Sequence, residues 1–156
     1  MTQNVDSLLV SIVISAYNEE KYLPGLIKDL KNQTYPKENI EILFINAMST
    51  DGTTAIIQEF IKEDTEFNSI RLYNNPKKNQ ASGFNLGVKH SVGDLVLKID
   101  AHSKVTESFV MNNVAVIQQG ESVCGGPRPT IVEGKGKWAE ILHLVEENMF
   151  GSSIAN

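Results

Sequence analysis

The chain has 156 residues, 41% of them hydrophobic, enough to bury one core and close to the common size of a single domain. Its 14 Lys and Arg against 19 Asp and Glu give a formal net charge of -5, which argues against nucleic acid as a partner, because backbone binding needs a concentrated basic patch. The single Cys124 excludes an internal disulfide framework and a cysteine-rich zinc centre, is compatible with a reducing compartment, and reads as a small core residue.

No basic flank with a continuous apolar run marks the N-terminus, and no stretch approaches the roughly 20 apolar residues that span a bilayer. The segment therefore reads as soluble, with an anchor in sequence beyond its end left open.

Leu8 to Ala16 is apolar and rich in β-branched residues before the abrupt change to Tyr17-Asn18-Glu19-Glu20, the pattern of a buried strand ending in a polar loop. From Glu20 to Gln33, Leu23, Leu26, Ile27 and Leu30 recur at helical spacing, and Pro24 is tolerable in a first turn. Ile40 to Ile45 predicts a second strand. Ser49-Thr50-Asp51-Gly52 then precedes a helix carrying Ala55, Ile56, Phe60 and Ile61.

Ile70 to Tyr73 predicts a short third strand. The turn-rich Asn74-Asn75-Pro76-Lys77-Lys78-Asn79 leads to a helix containing Ala81, Phe84, Asn85 and Val88. Gly93 is placed to end that helix before a strand from Leu95 to Ile99. A helix over Ser108 to Gln118 would face the core with Phe109, Val110, Val114 and Ile117. Ser122 to Cys124 reads as a short strand entering Gly125-Gly126-Pro127, and Trp138, Ile141, Leu142, Val145 and Phe150 predict a last helix from near Lys137. The apolar face of that helix requires a partner: this core, further sequence or a second subunit.

Alternating strands and helices predict an α/β fold, a mostly parallel sheet with helices on both faces and functional loops at the strands' carboxyl ends. The whole of residues 1–156 is expected to be one domain. Neither Gly-x-Gly-x-x-Gly after the first strand nor a Gly-x-x-x-x-Gly-Lys-Ser/Thr loop is present, which weighs against dehydrogenase and NTPase chemistry.

The residues best placed for chemistry are Asp100 and His102, which end the apolar run of Leu95 to Ile99. A carboxylate and an imidazole can help hold a divalent ion, Mn2+ or Mg2+, beside diphosphate oxygens; the same pair also suits a loop hydrogen-bond network. Asn46, ending the second strand, has both donor and acceptor groups for a base or ribose, or for its own turn. Asn18 and Glu19 border the same crevice, where Glu19 can accept from ribose hydroxyls or lie at a solvated helix start. Ser49, Thr50 and Asp51 are competent helix caps.

Lys77 and Lys78 can approach phosphate or simply solvate a loop. Lys98 interrupts its strand and requires either a charge partner in a pocket or an edge position with its amine in solvent. Arg128, between Pro127 and Pro129, is a further diphosphate candidate beside the plain reading of a structural turn.

Taken in order, these segments resemble the family 2 glycosyltransferases with a GT-A fold. The resemblance rests on Val10-Ser11-Ile12-Val13-Ile14-Ser15-Ala16-Tyr17-Asn18-Glu19-Glu20, Ser49-Thr50-Asp51-Gly52-Thr53, Asn85-Leu86-Gly87 and Gly93-Asp94-Leu95-Val96-Leu97-Lys98-Ile99-Asp100-Ala101-His102. Asp-Ala-His in place of the commoner Asp-x-Asp is similar to the branch making exopolysaccharides such as succinoglycan.

The resemblance implies that Ala16, Asn18 and Glu19 border the nucleotide, and that Asn46 sits where an Asp usually helps recognise it. Asp100 and His102 would meet the ribose, metal or diphosphate, and Lys78 the donor phosphate. It further implies a nucleotide-sugar donor, a UDP-sugar being expected, a carbohydrate or lipid-linked acceptor, and a divalent metal cofactor. A homodimer, a cytoplasmic location and membrane association of the full-length protein through further sequence complete the expectation.

Relatives carry an Arg where Phe84 stands, and their catalytic carboxylate lies in an acceptor-side segment. Glu146-Glu147 falls in an amphipathic helix with a solvated face, so neither residue is assigned as base. The chain is therefore read as an N-terminal part of a longer inverting transferase. The alternatives are a noncatalytic nucleotide-sugar-binding or assembly domain and a nucleotidyltransferase.

Overall fold

The computed structural model describes residues 8–125. Contacts divide the chain into two compact units, the first ending at Ser122, and the fold below is that of the first unit. Its elements are β1 (Val10–Ala16), α1 (Leu23–Lys31), β2 (Ile40–Asn46), α2 (Thr53–Glu63), β3 (Ser69–Asn74), α3 (Gln80–His90), β4 (Leu95–Asp100) and α4 (Phe109–Gln118), with a short 3-10 turn at Lys37–Asn39. The strands form one sheet in the order β3-β2-β1-β4, and every neighbouring pair is parallel.

Strands buried on both faces need continuous apolar runs rather than alternation. β1 and β2 meet that requirement: Val10, Ile12, Ile14, Ile40, Ile42 and Phe44 face one core, which α1, α2 and α4 complete with Leu23, Leu26, Leu30, Ile57, Phe60, Val110 and Val114. Val13, Leu43 and Ile45 face the other side, against Phe84 and Leu86 of α3. Helices thus cover both faces of the parallel sheet, the expected α/β arrangement. Among the described residues, no helix is long and apolar enough to cross a membrane.

The connections through α1 and α2 run outward from β1 to β2 to β3, and the one through α3 returns across the sheet to place β4 on the other side of β1. The carboxyl ends of β1 and β4 therefore flank a topological switch point, where diverging loops leave a crevice.

Two helices pack through residues that the apolar pattern did not mark, although Ile56, Phe60 and Ile61 of α2 meet the core as expected. In α2 the buried positions are Thr53, Ile57 and Phe60, while Ala55 is exposed. In α3 the buried residues are Gly83 and Gly87, while Ala81, Asn85 and Val88 lie outward. Glycine carries no hydrophobic signal, yet here it sets the contact face. A Cβ on Gly87 would fall 2.3 Å from Cγ1 of Val13.

Gly87→Ala would gain about 1 kcal/mol of helix propensity. That gain is outweighed by forcing a methyl into the fully buried Val13, with overpacking costs of about 1–3 kcal/mol. The expected result is a lower urea midpoint with an unchanged slope.

Gly93 lies beyond the C-cap Ser91 rather than ending α3; a Cβ there would meet Leu9 O at 2.6 Å and Ser11 N at 2.8 Å. Its small size therefore serves the close approach of the α3–β4 turn to the start of β1.

Ser122–Cys124 is not a strand. Three residues with Val123 at 85% exposure have neither the length nor the burial to join the sheet. Cys124 is half-buried rather than in the core. The predicted last helix, Arg128 and Glu146-Glu147 lie outside the described residues.

A charged group sits within the apolar run of β2. Glu41 is fully buried: it accepts from Ser11 Oγ at 2.5 Å and from the Val92 amide at 2.7 Å, and it pairs with the Arg71 guanidinium. Gly93 N donates in turn to Ser11 Oγ at 2.9 Å. Burial pushes the Glu41 carboxyl up, but the hydrogen bonds from Ser11 and Val92 and the charge of Arg71 outweigh it, holding the group below the usual carboxylate range. This network clamps β1, β2, β3 and the turn before β4 at the amino end of the sheet, away from the crevice.

Candidate functional site

The crevice is built by the loops following β1, β2 and β4. Ala16 ends β1 almost fully buried, and its carbonyl accepts from Ala47 N at 2.9 Å. The chain then turns at Asn18, whose φ is 54°, a left-handed conformation that Asn tolerates better than most residues.

Asn18 Oδ1 accepts from Thr50 N at 2.9 Å, and Ser49 Oγ accepts from Asn18 N at 3.1 Å. Thr53 Oγ1 accepts from Glu19 N at 2.7 Å, Asp51 Oδ2 from Glu20 N at 3.2 Å, and Glu20 Oε2 from Gly52 N at 2.6 Å. The β1 and β2 loops are zipped together by these bonds, which satisfy amides that would otherwise be orphaned.

Asp51 Oδ1 also accepts from Thr53 N at 3.0 Å at the start of α2. Burial raises the Asp51 carboxyl, and hydrogen bonds from the Thr53 hydroxyl and amide and from Glu20 N more than offset it, so the net shift is downward. Asp51 and Glu20 both lie where the helix dipole favours anions.

Asn46 is 3% exposed. Its amide is engaged in its own loop, Nδ2 donating to Thr54 Oγ1 at 2.9 Å and Oδ1 accepting from Ser49 N at 2.9 Å. One N–H and one lone pair remain.

Asp100 ends β4 in register with Ser15 of β1. Its Oδ1 accepts from Lys98 Nζ at 2.9 Å and from Gln80 Nε2 at 3.0 Å. Lys98 stands on β4, the outer strand among the described residues, with its side chain 38% exposed and the Asp100 carboxylate as its charge partner. The chain reverses after Asp100, whose carbonyl accepts from Ser103 N at 2.9 Å, and the intervening Ala101 is fully buried. His102 leans across to β1, its Nδ1 3.0 Å from Glu19 Oε1.

The structure thus pairs His102 with Glu19 across the β1 and β4 loops, with Asp100 at the end of β4 turned to Lys98 and Gln80, Asn18 on the β1 loop and Asn46 at the end of β2. Lys78 stands apart from these contacts: it is exposed, in a left-handed turn with φ of 53°, its amide bonded to Asn75 O at 3.1 Å. Gln80, at the first turn of α3, was not singled out by sequence; a lone exposed Gln gives no signal before the topology carries α3 back to β4.

Among the described residues, no three His, Cys, Asp or Glu side chains form a group that could hold a metal by themselves. Asp100 and His102 nonetheless fit a cation shared with a ligand. One is an oxygen donor, and the other is an imidazole whose second nitrogen already meets a carboxylate, the usual support of a metal-binding histidine. The remaining positions would come from ligand oxygens and water.

A parallel sheet covered on both faces, opening at its carboxyl ends between β1 and β4, defines a Rossmann-like α/β protein of the GT-A type. Residues 11–155 match Glycosyl transferase family 2, and the chain belongs to that family. It is 39% identical over 110 residues to the dolichyl N-acetyl-alpha-D-glucosaminyl phosphate 3-beta-D-2,3-diacetamido-2,3-dideoxy-beta-D-glucuronosyltransferase of Methanococcus voltae, covering 70% of this chain and 34% of that protein. It is 29% identical over 117 residues to glycosyltransferase GlyG of Streptococcus pneumoniae, covering 74% and 37%. The chain therefore spans about a third of the length of these relatives.

Among solved structures it superposes on S. aureus TarS 1-349 with a TM-score of 0.65 at 21% identity, covering 77% of this chain and 38% of that one. For the mannosyltransferase PcManGT from Pyrobaculum calidifontis, in complex with GDP-Man and Mn2+, the TM-score is 0.64 at 21% identity, covering 69% and 31%. These two likenesses concern the fold.

Proposed function

We propose that residues 1–156 form the donor-binding domain of a glycosyltransferase that moves a sugar from a nucleoside-diphosphate sugar to a carbohydrate or lipid-linked acceptor with inversion. The observation that carries this reading is the Glu19–His102 contact, which ties the β1 loop to the turn following Asp100 at the switch point between β1 and β4. Carboxyl ends of strands at such a point are where α/β sheets bind ligands.

In this reading the nucleoside lies along the zipped β1 and β2 loops. Ala16 and Asn18 shape the wall, Glu19 borders the ribose side, and Asn46 contributes its remaining N–H and lone pair. Asp100 and His102 hold a divalent cation, Mn2+ or Mg2+, together with the diphosphate. When bound, that cation offsets the charge that develops on the departing nucleoside diphosphate. Lys78, on the β3–α3 turn, is a candidate for the outer phosphate.

A UDP-sugar is the expected donor, supported by the fold shared with TarS, whose structures include complexes with UDP and UDP-GlcNAc. The manganese in the PcManGT complex supports the cation. Asp100-Ala101-His102 supports the exopolysaccharide branch. The catalytic base is assigned to sequence outside these residues, where a carboxylate would take the acceptor hydroxyl's proton.

The test is product analysis with the full-length protein and radiolabelled UDP-sugar. Release of UDP with label on an acceptor is expected. Release of pyrophosphate would mean nucleotidyl transfer instead, and binding without turnover would mean a noncatalytic module.

A further inference from the structure

The contact between Glu19 and His102 joins residues 83 positions apart, and both ends are built to hold it. Glu19 is fixed through its backbone on each side: its amide donates to Thr53 Oγ1 at 2.7 Å, and its carbonyl accepts from Tyr22 N at 3.0 Å and Leu23 N at 2.9 Å. Thr53 is itself fully buried. His102 is held in the turn closed by Ser103 N on Asp100 O and follows the fully buried Ala101. The Glu19 side chain is only 17% exposed, whereas that of His102 is 59% exposed, so the carboxylate sits behind the ring and the ring faces outward.

An ionised carboxylate only accepts hydrogen bonds, so the 3.0 Å contact requires the proton to reside on Nδ1 of His102. A neutral imidazole with its proton on Nδ1 presents a bare lone pair on Nε2. The ordinary preference of neutral imidazole in water is the opposite tautomer, with a proton on Nε2 that would repel a cation. Among the described residues, no hydrogen bond engages Nε2.

We infer that Glu19 is a positioning residue that sets the His102 tautomer and ring orientation, so that Nε2 is offered as a ligand to the divalent cation of a nucleoside-diphosphate complex. This rests on the donor-site reading above. It gives Glu19 a role distinct from ribose contact: it acts on the ligand through His102 and links the β1 loop to the β4 loop. Partners of this kind, one bond removed from the ion, typically change metal affinity by about 10–100-fold when lost.

The experiment uses the 156-residue chain with Glu19→Ala, Glu19→Gln, His102→Ala and the Glu19→Ala/His102→Ala double variant, each checked for folding by circular dichroism. The 15N shifts of the His102 ring are read at mildly alkaline pH without metal, and UDP binding is titrated by calorimetry with and without manganese. The wild type is expected to show the Nδ1–H tautomer, and Glu19→Ala to shift to Nε2–H. Glu19→Gln, whose amide oxygen still accepts, should restore the wild-type pattern.

Manganese-dependent UDP affinity should fall about 10–100-fold in Glu19→Ala, and the double variant should bind no more weakly than His102→Ala. An unchanged tautomer in Glu19→Ala would overturn the inference, as would a double variant whose losses add, because Glu19 would then touch the ligand itself. Absence of manganese-dependent UDP binding in the wild type would overturn the donor-site reading and with it the cation role, and the ring shifts would then report the Glu19–His102 pair separately.

Discussion

Replacing Glu41 with alanine is expected to lower the free energy of unfolding by about 3–5 kcal/mol, the range for breaking a buried ion pair from one side. The substitution removes the acceptor for the buried Ser11 hydroxyl and the Val92 amide and the charge partner of Arg71. Arg71 Nε lacks a partner among the described residues, and the guanidinium would keep its long bond from Nη1 to Tyr73 Oη at 3.3 Å and its partial exposure, so the largest part of the loss falls on the Ser11 and Val92 donors. A loss of this size is a large share of the roughly 5–15 kcal/mol available to a folded domain. Urea unfolding followed by tryptophan-independent far-UV signal measures it directly.

The same group predicts an acid dependence with a definite sign. Its carboxyl is held below the usual range in the folded chain, so its contribution is complete above the unfolded carboxylate value of about 4.3. As pH falls through the depressed folded value, the unfolded state has already taken up a proton and the contribution is lost. Glu41→Gln should therefore be less stable than the wild type at neutral pH and lose less further stability in acid. Parallel pH profiles for the two proteins would contradict this assignment.

The second large effect is expected at Asp100. Asp100→Asn keeps the size of the side chain but removes the charge that a shared cation needs, and manganese-dependent UDP affinity should fall by about 100-fold or more, beyond the upper range for outer partners. That corresponds to about 2.7 kcal/mol of binding. The cost to folding should be smaller, because the Lys98 end of the Lys98–Asp100 pair is exposed and its amine can be solvated once the carboxylate is gone. A mutant whose binding and stability fall together would point to a structural role for Asp100 instead.

The sheet was legible because its physics is written locally. β1 and β2 are continuous β-branched and aliphatic runs, each followed by polar residues at the crevice, and both features survive in a one-dimensional reading. α3 was harder, because its buried face is made by Gly83 and Gly87, where closeness to Val13 rather than apolar bulk decides the packing. The Ser122–Cys124 strand failed because one β-branched residue in three carries no information about whether an open sheet edge is near.

Asp100 and His102 stood out as polar residues ending an apolar run, and Lys98 as a charge within one. Glu41 carried the same signal inside Ile40 to Ile45 and was passed over; a carboxylate in a buried strand demands partners, and here it found three. The Glu19–His102 contact had no local trace, since only the crossover through α3 brings the β1 and β4 loops together.

The central claim, a metal-assisted donor-nucleotide site at the carboxyl ends of β1, β2 and β4, is tested most directly by calorimetric titration of UDP, GDP and dTDP into the 156-residue chain, each with and without manganese. The account predicts binding that depends on manganese and favours UDP. A folded chain that binds none of the three, or binds them equally well without the metal, would contradict it.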